Sequence, residues 1–391
     1  MTEETGEIAD WSYPTRIAVG AGRIRELADG CHQLGIRAPL LVTDPGLAAL
    51  PFISDVKARC AEAGLRIESF SDVQGNPTRQ NVEDGVEIFT AGQHDGVIAM
   101  GGGSALDAGK AIAFLSGQQR SLWDFEDLDD NWSRAREDGI APIIAIPTTA
   151  GTGSEVGRVS VITDTAEKRK RLIFHPRILP SFVILDAELT LSLPAHLTAA
   201  TGMDALSHNL EAYCSPRFHP MADGIAQEGI RRIVQYLPRA VADGNDLKAR
   251  TQLLVASTMG ATAFQKGLGA MHALAHPLGA RYNAHHGLLN AILMPYVLQA
   301  NRSAIAGKLT DLARALDIAN PSFDAFFERV MALREQIEIP KRLNDIGIDA
   351  TESALIGELA VVDPPAATNP VTFSAEQYSA LFCDAVEGNL A

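Results

Sequence analysis

Short aliphatic and β-branched runs alternate with helically spaced segments through the first half of this chain, and that alternation limits the fold more than any other feature. Residues 16–19, 39–43, 66–70, 96–100, 143–146 and 183–185 read as strands, with residues 24–34, 53–63, 82–90 and 105–115 as helices among them. Such a succession specifies a mainly parallel sheet with right-handed crossovers, a nucleotide-binding architecture by pattern alone. From about Leu189 onward convincing strands stop. Ala, Leu and charged residues at helical spacing take over, with Pro194, Pro220, Pro295 and Pro340 marking breaks, so the second half is expected to be all helical. No internal repeat or low-complexity segment appears. The boundary near residues 186–190 therefore reads as a hinge between two units, residues 1–187 and 188–391.

A chain of 391 residues exceeds the usual size of a single core, and 46% hydrophobic with 21% charged residues is ordinary globular composition. The net charge of −15 argues against nucleic acid or an anionic membrane as partner, since both would repel it. The opening MTEETGEIADW is acidic, with no basic segment leading into an apolar core, and no apolar run approaches the length of a membrane span. A cytoplasmic enzyme is expected. Cys31, Cys60, Cys214 and Cys383 are scattered without CxxC spacing, which suggests reduced packing thiols and neither a disulfide framework nor a zinc knuckle.

The run GVIAM at residues 96–100 leads directly into Gly101, Gly102, Gly103 and Ser104, and then into a helix carrying Asp107 and Lys110. Glycines let a diphosphate approach bare backbone, and the free N–H groups and positive dipole of the following helix meet its charge. This is not a Walker A loop, because Ser104 stands where its first glycine belongs, five positions before Gly109, and Ala111 follows Lys110. Nor is it GxGxxG; the fragment from Gly20 to Arg25 lacks the third glycine as well. Asp44 closes the second strand, where a carboxylate accepts both ribose hydroxyls of an adenosine and repels a 2′-phosphate, favouring NAD over NADP. It also suits the cap of a turn before Pro45. The loops at residues 76–78 and 147–155 add hydroxyls and glycines on the same sheet edge.

Two stretches of the second half concentrate metal-binding side chains. TGMDALSHNLEAY places Asp204 and His208 four residues apart, on one helix face, and GLGAMHALAHPLGARYNAHHGLLN holds four of the ten histidines. Imidazoles plus a carboxylate suit a single divalent ion held without thiolates. Spacing alone does not choose among Asp204, His208, His272, His276, His285 and His286. The plainest pairing sets His272 with His276 at i,i+4 and leaves His285 or His286 as an outer ligand. The competing reading is a set of core histidines donating to backbone carbonyls.

GMDALSHNLEAY, AMHALAHPLGARYNAHHG, GGGSALDAGKAIA and PTTAGTGSEV resemble the iron-containing (group III) alcohol dehydrogenases, over nearly the whole chain. The resemblance implies an α/β N-terminal domain with a Rossmann-like, mainly parallel sheet at 1–187 that binds a dinucleotide. An all-α metal-binding and substrate domain follows at 188–391, in the architecture shared with dehydroquinate synthase. It implies metal ligands at Asp204, His208, His272 and His286, and an extra active-site histidine, not a ligand, at His276. For the cofactor it implies Asp44, Asn76, Gly102, Gly103, Ser104, Asp107, Thr148, Thr149, Thr152, Ser154, Val156 and Leu189. A family lysine falls on Lys170 or Arg171, since the segment EKRKRLIFHPRILP is one residue short.

The activity so implied is hydride transfer between NAD(H) and a small primary alcohol or its aldehyde. The metal would be Fe(II), with Zn(II) as the alternative, acting as Lewis acid, and His276 would pass the proton. Within the family, AFQKGLG, FHP and TNP look most like members acting on 4-hydroxybutyrate and succinic semialdehyde. Lys266, Arg281 and His285 are then candidates to pair a substrate carboxylate. A homodimer or higher homo-oligomer is implied, with residues 16–19 as an edge strand available to a second copy. Two rivals stand beside this reading. A dehydroquinate-synthase-like lyase would need several Lys and Arg near the metal, and the metal segments carry only Lys266 and Arg281; a metal hydrolase would not bind NADH.

Overall fold

The computed structural model describes Ser12, Tyr13 and residues 15–390; the acidic opening MTEETGEIADW lies outside the described residues. Two compact units are distinguished. One comprises residues 15–194 with Asp243–Thr258, the other Ala195–Ala242 and the chain from Met259 on, with Ser12 and Tyr13.

In the first unit the chain forms β1 (Arg16–Val19), β2 (Pro39–Val42), β3 (Glu68–Phe70), β4 (Gly96–Gly101), β5 (Ile143–Pro147), a hairpin of β6 (Val159–Asp164) and β7 (Arg169–Phe174), and β8 (Phe182–Leu185). Six of these make one sheet in the order β1-β8-β5-β4-β2-β3, with every neighbouring pair parallel. Strands β2, β4, β5 and β8 are buried along their whole length, which is why they read as continuous apolar runs instead of alternating ones. Helices α1 (Leu27–Gln33), α2 (Pro45–Ala48), α3 (Pro51–Glu62), α4 (Arg79–Ala91) and α5 (Gly103–Leu115) supply the intervening helical segments. Leu27, Ile53 and Val56 from this set share one core with Leu41, Ile98, Ile144 and Ile184 of the sheet.

The hairpin was not expected. VSVITD does alternate half-buried with buried positions, but RKRLIF begins with three basic residues and reads as loop. Those charges are accommodated because Arg169 and Arg171 pair with Glu126, Asp164 and Glu167. The alternation of β6 was the available signal.

From β2 the chain moves outward to β3, whereas from β4 it moves the other way through β5 to β8. The connections diverge between β2 and β4, and in an open parallel sheet ligands bind outside the carboxyl ends of the strands at such a point.

Among the described residues no strand follows β8. The second unit is built from α6 (Ala195–Cys214), α7 (Pro220–Ala242), the end of α8 (Leu247–Ala263), α9 (Ala270–Tyr282), α10 (His286–Ala300), α11 (Arg302–Ala315), α12 (Phe323–Gln336), α13 (Ser353–Val361) and α14 (Ala375–Glu387). Helix α6 is buried on nearly every side from Thr198 to Cys214, yet it carries Asp204, His208 and Glu211 there. Burying such groups costs several kcal/mol unless each finds a partner, so their presence in a buried helix is itself a mark of a site.

Candidate metal centre and cofactor edge

At the carboxyl edge of the sheet, β4 ends in Gly101, whose φ of 151° favours glycine. Gly102 is the N-cap of α5, and no side chain caps that helix. A Cβ on Gly101 would lie 2.7 Å from Ala105 Cβ, and one on Gly103 would lie 2.5 Å from Thr152 Cγ2. These two glycines therefore let the loop close against its neighbours, leaving the start of α5 as bare backbone with a positive dipole end. Asp44, at the end of β2, accepts from the Leu47 N–H through Oδ1 at 3.0 Å, so it does cap α2. Its Oδ2 lies 3.4 Å from where a Gly101 Cβ would stand, so the same carboxylate also faces the glycine loop.

Several neighbours brace this edge. The Asp107 carboxylate accepts from Ser154 Oγ at 2.5 Å and Val161 N–H at 3.1 Å, and pairs with buried Lys110 at 3.1 Å. Asp107 and the Ser154 hydroxyl are thus a strut between α5, the 154 turn and β6. Ser104 Oγ donates to Gly75 O, which fixes the chain just before Asn76. Thr78 and Asn81 form the capping box of α4, and Thr163 N–H donates to Pro77 O at 2.7 Å, tying that turn to the hairpin. Thr148, Val156 and Leu189 are buried, whereas Thr149 and Thr152 are partly exposed. Glu155 is fully buried. Burial pushes its carboxyl pKa up, opposed by a 2.7 Å hydrogen bond from Thr258.

The basic pair on β7 separates cleanly. Arg171 is engaged by Glu126, Asp164 and Glu167 and sits over the Trp123 ring. Lys170 is opposite Thr163 in the ladder, and Thr163 is the residue bonded to the Pro77 turn. Directly opposed residues share a face and successive residues alternate, so the Lys170 and Thr163 side chains leave one face of the hairpin and that of Arg171 the other.

In the helical unit Asp204 and His208 of α6, His272 of α9 and His286 of α10 each turn one ligand atom inward, and these four atoms lie within 4.8 Å of one another. His276 and His285 are not in the group. Asp204, His208 and His272 are buried, while His286 keeps 21% of its side chain exposed and marks the open side. The approach of α10 to α6 depends on Gly287, where a Cβ would lie 2.5 Å from Ala200 O and 2.9 Å from Asp204 Cβ.

The surroundings bear on whether a cation fits. Glu211, one turn beyond His208, accepts from His272 Nδ1 at 2.6 Å, from Gly269 N–H at 2.9 Å and from Met271 N–H at 2.7 Å. A carboxylate has only acceptors, so His272 carries its proton on Nδ1 and directs the Nε2 lone pair into the cluster. The same carboxylate caps α9, with Asn369 Oδ1 accepting from Ala270 N–H at 3.0 Å. Asn290 Nδ2 donates to Asp204 Oδ1 at 2.9 Å and lies 3.2 Å from both His272 Nε2 and His286 Nε2, while its own Oδ1 is buried without a partner. Burial lowers the basicity of His272, but the charge and hydrogen bond of Glu211, with Asp204 and Asp363 behind them, outweigh it and raise its pKa above the usual histidine value. Several lone pairs thus converge on one point beside negative charge. Three imidazoles and a carboxylate of this kind fit a divalent transition-metal ion.

His276 lies beside the cluster but outside the ligand group: the Asp363 oxygens are 3.1 and 3.0 Å from its Nδ1, and its ring stacks on His286 at 20°. Phe264 packs beside His208 with ring centroids 5.3 Å apart. Glu211, Asn290, Asp363, Asn369 and Phe264 were all missed as site residues in the sequence. Glu211 alone had a readable signal, an acidic residue three positions after His208 in an otherwise apolar helix.

The candidate carboxylate-binding residues all have partners within the protein. Lys266 is buried, bound to Asp223 and to Tyr213 O at 3.2 Å, and burial holds its pKa below the usual lysine value despite that partner. Arg281 makes a bidentate pair with Glu352, one arm at 2.7 Å, which ties α9 to the residue preceding α13. Each of these charges already has a protein carboxylate as its partner. His285 is exposed and serves as the N-cap of α10, accepting from Leu288 N–H. The FHP and TNP segments are likewise structural: His175 is buried against Phe114 and Trp132, and Thr368 donates to Leu268 O at 2.8 Å.

The chain matches the family profile for iron-containing alcohol dehydrogenase over residues 14–187, and that for the C-terminal part of the Fe-containing alcohol dehydrogenase family over residues 198–386. The chain belongs to the iron-containing alcohol dehydrogenase family. It is 39% identical over 380 residues to a 4-hydroxybutyrate dehydrogenase of Cupriavidus necator, covering 94% of this chain and 97% of that one. It is 33% identical over 370 residues to an NAD-dependent methanol dehydrogenase of Bacillus methanolicus, covering 93% and 96%. The crystal structure of a 1,3-propanediol oxidoreductase superposes with a TM-score of 0.91 at 36% identity, covering 97% of this chain and all of that one.

Proposed function

We propose that this enzyme interconverts a small primary alcohol and its aldehyde by hydride transfer with NAD(H), using iron held by Asp204, His208, His272 and His286. The convergence of those four ligand atoms, with His272 fixed in the required tautomer by Glu211, carries the reading. When bound, the ion would lower the alcohol's pKa as a Lewis acid and the nicotinamide would accept the hydride. The protein's own groups do the rest. Glu211 and Asn290 orient the ligands, and His276 takes the hydroxyl proton. The Gly102–Gly103 turn and the start of α5 meet the diphosphate, and Asp44 accepts from the adenosine ribose. Zinc fits the same donors on softness grounds.

For the substrate, the 39% identity to a 4-hydroxybutyrate dehydrogenase supports a short hydroxy acid. With Lys266 and Arg281 engaged elsewhere, exposed His285 beside His286 is the remaining candidate for its carboxylate. The lyase alternative loses its phosphate-binding cations for the same reason. Edge strand β1, with half-exposed Val19, supports a homodimer formed by strand pairing between copies. The free thiols support a cytoplasmic location.

Anaerobic purification with metal analysis, then an NAD(H)-coupled screen of hydroxy acids, semialdehydes, diols and simple alcohols, tests this. One bound transition metal per chain and NADH formation with a primary alcohol are expected. Metal-bound protein that neither binds NADH nor oxidises any of them would overturn it, and faster turnover of unsubstituted alcohols than of hydroxy acids would overturn the substrate assignment.

A further inference from the structure

We propose that Asp363 is the residue that prepares His276 for proton transfer, and that Pro364 and Pro365 leave its carboxylate free to do so. The inference rests on the reading of His276 as proton acceptor. Asp363 occupies the N-cap of the 3₁₀ turn Pro364–Thr368, a position where an aspartate ordinarily accepts from the N–H groups that follow. Pro364 and Pro365 have no N–H to offer. The next one, Ala366 N–H, goes to the backbone carbonyl of Asp363 at 2.9 Å, and the carboxylate makes no capping bond. Both its oxygens turn instead to His276 Nδ1, 87 residues away, at 3.1 and 3.0 Å.

This fixes the proton on Nδ1, because the carboxylate only accepts, and leaves Nε2 with its lone pair. Among the described residues Nε2 meets no hydrogen-bond partner, and it is not buried. The imidazole stacks on His286 and stands edge-on to His272, 6.0 Å away between ring centroids, so the open nitrogen belongs to a ring packed directly on the metal-ligating cluster. In alcohol oxidation the proton released as the substrate O–H breaks would form the Nε2–H bond, and bound NAD would take the C–H electron pair as hydride. The imidazolium so formed faces the Asp363 charge. Helix α9 does not need this contact to stay in place, since Glu211 and Asn369 hold its first turn and Arg281 with Glu352 its last.

Asp363→Ala, Asp363→Asn, Asp363→Glu, His276→Ala and the double variant Asp363→Ala/His276→Ala, each metal-loaded, are assayed for kcat, KM and metal content. Asp363→Ala is expected to lose about 10²-fold in kcat with full metal content and little change in KM, and the double variant to be no slower than His276→Ala. Asp363→Asn falls between, and Asp363→Glu recovers part of the rate. Wild-type kcat in Asp363→Ala, or losses that multiply in the double variant, would overturn the proposal. Nitrogen-15 spectra of the zinc-loaded wild type test it separately from any dehydrogenase activity. A proton on His276 Nδ1 is expected, and one on Nε2 rejects the role of Asp363 even if the dehydrogenase reading stands.

Discussion

At the edge of the sheet the groups placed to meet a ligand are largely backbone, with side chains such as Asp107 and Lys110 engaged behind them as braces. In the helical unit the order is reversed: side chains from α6, α9 and α10 point inward, and each stands against another side chain that orients it, Glu211 behind His272 and Asn290 behind Asp204. A site made of backbone depends on strand order and on the space a glycine leaves. One made of side chains depends on single atoms several ångströms from the chemistry.

The contrast can be broken most directly by removing ligands. His272→Ala and Asp204→Ala are each expected to release the metal and lower kcat/KM by about 10³-fold or more, with NADH affinity within a factor of about two of wild type. Metal analysis and fluorescence titration decide it, and variants that keep both metal and turnover would end the assignment. Next in size is Glu211→Gln. Three N–H donors face this carboxylate, so an amide in either orientation sets its own N–H₂ against one of them; metal affinity should fall about 10- to 100-fold in chelator competition. On the other side of the comparison, Asp44→Ala is expected to weaken NADH binding about tenfold and narrow the preference over NADPH, with metal content unchanged.

The smallest effect is a pH dependence of the metal-free protein. The raised pKa of His272 means that its pairing with Glu211 contributes stability that is full below the ordinary histidine pKa and is lost as pH rises through the raised value. Melting temperature should therefore decline by a few degrees toward alkaline pH in the metal-free wild type, and less in Glu211→Gln. Equal slopes would remove Glu211 as the cause.

The strand pattern was legible because four strands are apolar throughout and must be buried on both faces. The hairpin at Val159–Phe174 was not, since its three basic residues make sense only beside Glu126 and Asp164. In the helical unit the i,i+4 relation of Asp204 and His208 was plain from spacing. Spacing also paired His272 with His276, and only the folded chain shows the latter bonded to Asp363 and outside the ligand group. Lys266 and Arg281 looked available because their partners, Asp223 and Glu352, lie 43 and 71 residues off.

The sequence by itself determined the succession of strands and helices and the kinds of ligand atoms present, because propensity, periodicity and donor chemistry act within a turn or two of the chain. Tertiary structure alone decided the divergence of connections between β2 and β4, the tautomers of His272 and His276, and which charges are already paired. Each of those depends on a partner brought from a distant part of the chain, and local pattern holds no information about which partner arrives.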